Sequence, residues 1–394
     1  MYDVTVVGGG PIGSYTARKL AEKGHSVLVA EKKARAREAV CCTGIVGTEC
    51  VDAFNIEDRL ILRKVNGARL FPPSGRPLFI QREEPQACVL DRAAFDINMA
   101  ERAMAAGAEY SFNSRVTDIS ITGEGVTASV ARKGNYTEVK SKVVVIASGF
   151  APSLLQRLGL GTYGDFTVGA QVEVETSGIE DVEVYFGEMA PGFFAWIVPT
   201  TPPLARIGLL MRRMPGMYLR RWLQKLESEG RIPASTAEPD YGAIPLRPPP
   251  RTYGERLIVV GDAAGQVKPT SGGGIYFGLL SAEIAAATLH EALEDEDLSA
   301  RRLARYERGW KKKLGRELTV GYWARRIFER LGEKQIDRIF EIVKSGNIDE
   351  TMLKAKDLSF DWHSKTIIRL LRYQIIARTM RILRMPFRSS SVDV

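Results

Sequence analysis

Residues 2–33 read YDVTVVGGGPIGSYTARKLAEKGHSVLVAEKK, and the order of features within them decides the fold. Apolar Val4 to Val7 predict a buried strand. Gly8, Gly10 and Gly13 follow in GxGxxG spacing, Ala17, Leu20 and Ala21 continue at helical spacing, and Val27 to Ala30 predict a second strand. The βαβ unit is complete. Gly8 permits the tight turn, Gly10 lets the backbone approach a pyrophosphate, and Gly13 brings helix against strand, while Pro11 and Ile12 open the helix at its anion-attracting end. Glu31 ends the second strand, followed by Lys32; a carboxylate there accepts hydrogen bonds from both ribose hydroxyls and repels a 2′-phosphate. The site is expected to hold FAD or NAD rather than NADP.

A second glycine turn lies some 250 residues downstream, in LIVVGDAAGQVKPTSGGGIYFGLLSAE at 257–283. Leu257 to Val260 predict a short strand running into Gly261-Asp262, and Ile275 to Leu289 have helical apolar spacing. When FAD lies extended, its adenosine end rests on the N-terminal βαβ unit and its ring end must be held elsewhere. Asp262 can accept from a ribityl hydroxyl, and the helix start at Ile275 offers amides and positive dipole. Gly272, Gly273 and Gly274 leave room for a flat ring. The two turns are therefore expected to grip opposite ends of one FAD.

The chain has 394 residues, 45% hydrophobic and 26% charged, a composition suited to a soluble globular protein of two or three subdomains. Its four cysteines show no CxxC spacing, and there is no signal peptide or long apolar run, which predicts a cytosolic chain with reduced thiols. The net charge of +8 is unevenly placed. From Arg301 onward there are 23 Lys and Arg against 11 Asp and Glu, whereas residues 1–300 hold 32 against 36. A basic tail on a near-neutral body points to a local anionic surface, such as phospholipid headgroups, rather than to a nucleic-acid groove.

Four stretches together resemble the geranylgeranyl reductase family of FAD enzymes, within the p-hydroxybenzoate hydroxylase superfamily. They are GGGPIG with Glu31, VCCTGIVG at 40–47, PGFFAWIVP at 191–199, and GDAAGQVKPTSGGGIYFG at 261–278. The third is close to the family's PxxYxWxFP, with Phe194 for Tyr and Val198 for Phe. The resemblance implies an α/β fold: a Rossmann-like, p-hydroxybenzoate hydroxylase-like FAD-binding domain, an antiparallel β-sheet substrate domain and a C-terminal helical region. The first is expected over 1–65, 88–160 and 254–300, the second over 66–87 and 161–253, and the third over 301–394. It also places Cys42, Thr43 and Gly44 where the chain crosses the flavin ring, Arg92 near the FAD diphosphate, and Val116, Ala147, Ser148 and Gly149 beside the cofactor. Ser148-Gly149 stands where related hydroxylases carry Asp-Gly, so direct use of NADPH is not expected, and ferredoxin or another reductant is the expected donor.

The same resemblance implies reduction of isoprenoid double bonds, in archaeal membrane-lipid precursors such as digeranylgeranylglycerophospholipid. Phe193, Phe194, Trp196 and Pro199 then belong to the lipid cavity. Saturating an isolated alkene with a reduced flavin requires a proton at the second carbon and a dry, long cavity. Cys42 and Tyr276 are the candidate proton donors, beside an ordered water. Three other readings remain open: a flavin monooxygenase or halogenase, a reductase of a quinone's prenyl tail, and a non-catalytic flavin electron carrier. The tail TIIRLLRYQIIARTMRILRMPF at 366–387 gathers Arg369, Arg378, Arg381 and Arg384 opposite its apolar residues, with Arg372 the exception. Such a helix suits a membrane interface or a cap on the cavity.

Overall fold

The computed structural model describes residues 1–34, 41–345 and 359–372. Strand Tyr2–Val7, helix Pro11–Ala21 and strand Val27–Ala30 form the opening βαβ unit. Tyr2–Val7 is the centre of an eight-stranded sheet, flanked in parallel by Val27–Ala30 on one side and Asn135–Ile146 on the other. Leu257–Val259 extends the sheet in parallel beyond Asn135–Ile146, so the strand that feeds the second glycine turn lies two positions from the strand that feeds the first. Both turns therefore emerge at the carboxyl edge of one parallel sheet, the usual place for a ligand in such folds. Apart from half-buried Val139, the valines and isoleucines of these strands are buried on both faces, as a sheet covered by helices requires.

A second, seven-stranded sheet runs in the order Asp240–Pro245, Phe166–Glu175, Leu204–Met211, Phe194–Pro199, Val182–Tyr185, Gly67–Phe71, Leu78–Gln81. Its ladders are antiparallel except where Val182–Tyr185 meets Gly67–Phe71 in parallel, the junction between two chain segments more than a hundred residues apart. One face of this sheet looks toward the first sheet. The other is covered by a helix, Pro215–Ser228, within a stretch expected to be antiparallel sheet throughout. Its Leu219, Trp222, Leu223 and Leu226 are buried at helical spacing among Ile207, Leu209 and Val172. A small sheet of Ile45–Gly47, Ala87–Leu90 and Ile61–Val65 bridges the two halves.

Helix Ile275–Glu294 packs against Pro11–Ala21 beneath the first sheet, and the 29-residue helix Ala300–Phe328 packs on it in turn. The long helix buries Leu303, Tyr306, Trp310, Leu314 and Leu318, a stripe three to four residues apart. Helix Glu333–Ser345 follows, and a last helix, Ser364–Arg372, contacts the long one. Arg378, Arg381 and Arg384 of the arginine-rich tail lie outside the described residues.

Candidate active site

Between the carboxyl edge of the parallel sheet and the inward face of the antiparallel sheet lies a cavity of about 1030 Å³, at the upper end of the usual range for ligand sites. At one end the first glycine turn is built for close approach. Gly8 takes φ +103°, a conformation that L side chains rarely adopt, and a Cβ there would meet the Ala147 carbonyl oxygen at 2.5 Å. At Gly13 a Cβ would fall 2.0 Å from the Gly8 oxygen, so helix and turn touch only because it is glycine. Gly10 differs: nothing lies within 4 Å of its would-be Cβ, and it lines the cavity with Gly8, Pro11 and Ile12. The space beside Gly10 is left for a ligand.

Glu31 is 7% exposed and lines the same end with Lys32. Its Oε2 accepts from the Gly9 amide at 2.6 Å and its Oε1 from the Lys33 amide at 2.8 Å, which hold the carboxylate in place. Val116, Ala147, Ser148 and Gly149 complete this wall. The Ser148 hydroxyl is buried without a hydrogen-bond partner among the described residues, an omission a ligand would repair.

Midway, residues 41–44 cross the cavity. Gly44 has φ +74°, with Arg206 and Leu90 pressed where a Cβ would stand. Arg206 Nη1 donates to the carbonyl oxygens of Thr43 at 2.8 Å and Leu90 at 3.1 Å, while its Nε pairs with Glu173. The Thr43 hydroxyl donates to Gln171 Oε1 at 2.9 Å, and the Gly44 amide donates to the Cys42 sulfur at 3.4 Å. Arg92, at the start of a helix capped by Asp91, is buried and paired with Asp96 at 2.8 Å. Burial opposes its charge, but the neighbouring Cys42 thiol and the Asp96 carboxylate more than offset this and raise its pKa. A buried Arg92–Asp96 ion pair thus lines the middle of the cavity.

Gly261 and Asp262 line the cavity beside the first turn rather than at its opposite end, and Gly272, Gly273, Gly274 and Ile275 continue the wall toward the antiparallel sheet. Burial raises the Asp262 pKa, opposed by the Arg92 charge. All three glycines answer to protein neighbours rather than to free space: Gly272 has φ +75°, and a Cβ there would meet Leu210 at 3.0 Å and Ile244 at 3.1 Å. A Cβ at Gly274 would meet Asp262 Oδ1 at 2.4 Å, and one at Gly273 would meet Lys268 Cε at 2.9 Å. Ile12 joins the two turns: its side chain lies 3.2 Å from where a Cβ of Gly261 would stand.

Three expected site residues are corrected by the structure. Tyr276 points away from the cavity; its hydroxyl donates to Glu49 Oε1 at 2.7 Å, and its ring packs on Phe54 and Trp362. Helix Ile275–Glu294 is apolar nearly all round, so its sequence carries no signal for which face meets the site. Phe193 precedes strand Phe194–Pro199 and turns into the core, where the Arg325 guanidinium carbon lies 3.3 Å from its ring centroid. Pro199 also falls off the cavity, because alternation sends Phe194, Trp196 and Val198 inward instead. Gln171 and Phe360 are wall residues that sequence reading missed, as was Arg206, which braces the crossing loop without lining the cavity. A charged residue in the apolar run LARIGLLM was the one available sign for Arg206.

The donor set suits FAD: open space at Gly10, a carboxylate at Glu31, an orphaned hydroxyl at Ser148, and a second glycine turn with Asp262 beside the first. An FAD binding domain family matches residues 1–206. The chain is 31% identical to a digeranylgeranylglycerophospholipid reductase of Methanocaldococcus jannaschii, over 86% of this chain and 90% of that one. It is also 31% identical to digeranylgeranylglycerophospholipid reductase 2 of Methanothermobacter thermautotrophicus, over 96% and 99%. A geranylgeranyl bacteriochlorophyll reductase-like protein from Thermoplasma acidophilum superposes with a TM-score of 0.85 at 24% identity, over 97% and 99%. With the two glycine turns, the crossing loop and the aromatic strand arranged around one cavity, this chain belongs to the FAD-binding family of the digeranylgeranylglycerophospholipid reductases.

Proposed function

We propose that this protein is an FAD-dependent reductase that saturates the isoprenoid double bonds of geranylgeranyl chains on archaeal membrane-lipid precursors. The observation that carries this reading is the wall opposite the crossing loop. Phe194, Trp196, Val198, Val182 and Val184 line the cavity that also receives both glycine turns, so a long apolar chain has a surface to lie on next to the cofactor. When bound, reduced FAD supplies the hydride. The chain's own residues position and enclose: Glu31 and the first turn hold one end of the cofactor, Asp262 beside that turn holds its middle, and the aromatic wall excludes water.

Cys42 is the proton donor in this reading. Its thiol lines the cavity beside Arg92, whereas Tyr276 is engaged with Glu49 outside the cavity. Ferredoxin or a similar one-electron carrier supplies the electrons, since Ser148 stands where Asp would serve a pyridine nucleotide. Stopped-flow mixing should show slow bleaching of the flavin by NADPH and fast bleaching by reduced ferredoxin; rapid NADPH reduction would reassign the donor. The basic C-terminal region brings the protein to a lipid surface; among the described residues, no helix is long and apolar enough to cross a membrane.

The deciding experiment is anaerobic incubation of dithionite-reduced protein with a digeranylgeranylated glycerophospholipid, followed by mass spectrometry. Gains in steps of two hydrogens are expected. Gain of one oxygen in air would instead favour a monooxygenase.

A further inference from the structure

The loop 268–274 carries three glycines, which have no side chains to hold its shape, and lies against the ring end of the cavity. Its three polar side chains are Lys268, Thr270 and Ser271. Backbone bonds close the loop on Lys268: its amide donates to the Gly273 oxygen at 3.0 Å, and its oxygen accepts from Gly272 at 2.8 Å. Two of the three side chains are then held by one remote segment. Lys268 Nζ pairs with Asp361 Oδ1 at 2.8 Å, with the two side chains 7% and 1% exposed, and also donates to the Phe360 oxygen at 3.3 Å. Thr270 Oγ1 lies 2.6 Å from His363 Nδ1.

The histidine's tautomer follows from its other side. His363 Nε2 lies 2.7 Å from the Phe360 carbonyl oxygen, which can only accept, so Nε2 carries the proton and Nδ1 accepts from the Thr270 hydroxyl. Burial, with the Lys268 charge nearby, lowers its pKa to about 4, consistent with a neutral ring. The segment is itself anchored. Glu317 Oε2 accepts from the amides of His363 and Ser364 at 2.9 and 2.8 Å, and Trp362 Nε1 donates to Glu49 at 2.8 Å. Asp361 also sits where Gly47 lacks a side chain: a Cβ there would be 2.0 Å from Oδ2. Phe360 completes the arrangement by lining the cavity beside Thr270, Ser271 and Gly272.

We infer that residues 360–364 are a built part of the site, in which the Lys268–Asp361 pair and the Thr270–His363 bond set the shape of the ring-end glycine loop and Phe360 forms a wall that selects for long apolar substrates. Lys268, Asp361 and His363 are positioning residues. The inference deepens the reductase reading and rests on it for the role of Phe360. A buried ion pair is a poor way to gain stability alone, since an apolar pair of similar size often serves as well. That contrast supplies the test.

The full-length protein is stripped of flavin and titrated with FAD, following fluorescence quenching and the visible flavin band. Asp361→Asn, which leaves Lys268 buried without its counter-charge, should bind FAD about tenfold more weakly and shift the band. The double variant Lys268→Met with Asp361→Leu removes both charges together. It should regain the wild-type melting temperature while keeping the weakened affinity and shifted band; recovery of all three would mean the pair is merely structural and overturn the inference. His363→Gln cuts the link to Thr270 in a milder way and should shift the band too, whereas an unchanged band in every folded variant would overturn the positioning claim. None of these readouts needs turnover, so they hold even if the wild-type protein hydrogenates no lipid, a result that would sink the reductase reading alone. With lipid, Phe360→Ala should raise KM for a geranylgeranyl chain about tenfold with kcat little changed, and spare a short alkene; equal effects on both would remove Phe360 from the selecting wall.

Discussion

Gly10 and Gly13 stand three residues apart and are glycine for different reasons. A side chain at 13 collides with the Gly8 carbonyl, whereas one at 10 enters open cavity. Gly13→Ala should therefore lower the melting temperature of the flavin-free protein, by the equivalent of about 1–3 kcal/mol for an overpacked contact. Gly10→Val should leave that temperature nearly unchanged and abolish FAD binding. Calorimetry of the flavin-free proteins with a parallel FAD titration separates the two; matching profiles would refute the assignment. Asp262→Ala should weaken FAD binding by about 1.5–3 kcal/mol if its carboxylate accepts a ribityl hydroxyl. These positions were legible because GxGxxG and GD turns are local patterns whose geometry is set within a few residues. Tyr276 was not, because nothing local says which way it faces.

Among the elements, strand Phe194–Pro199 shows how alternation divides labour. Its partner in the sheet pairs Trp196 with Gly208, and a Cβ on Gly208 would stand 2.5 Å from the indole. The glycine makes room for the ring, whose Nε1 is buried without a partner among the described residues. Gly208→Ala should displace the indole, lowering turnover of long-chain alkenes while FAD stays bound. Trp196→Ala should do the same, with greater loss for long than for short substrates. Phe193→Ala should act differently: it removes the ring under the buried Arg325 guanidinium and costs stability, about 3–5 kcal/mol, with little change in chain-length preference. Melting curves and paired kinetics on long and short alkenes distinguish the two classes. If Phe193→Ala alone altered chain-length preference, the division of the strand would be wrong.

Across the whole molecule, the C-terminal helices hold the site together at a distance, and His363 makes this sensitive to pH. Its folded pKa of about 4 lies below the ordinary 6.5, because burial and the Lys268 charge favour the neutral ring, with the bond to the Phe360 carbonyl and the Glu317 charge opposing. The unfolded chain therefore binds the proton first as pH falls. Stability from this group is full above pH 6.5 and is lost progressively toward pH 4, by at most about 3 kcal/mol. His363→Gln should flatten that part of the curve in a series of melting temperatures from pH 7 to 4. A residual slope is expected from His25, whose pKa is also lowered by burial and by His290, its ring partner at 2.9 Å. An identical slope in His363→Gln and wild type would contradict this account.

The sequence by itself determined the βαβ unit, the second glycine turn, the carboxylates Glu31 and Asp262, and the apolar strand Phe194–Pro199. Each is written in hydrophobic periodicity or turn chemistry within about thirty residues, where the backbone has few alternatives. Tertiary structure alone decided which aromatics see the cavity, that Arg206 braces the crossing loop, and that Lys268 meets Asp361 across 93 residues of chain. Side-chain facing on an all-apolar helix and pairing between distant polar residues depend on what packs opposite them. No local pattern encodes that opposing surface, because it exists only once both halves of the molecule have closed on one another.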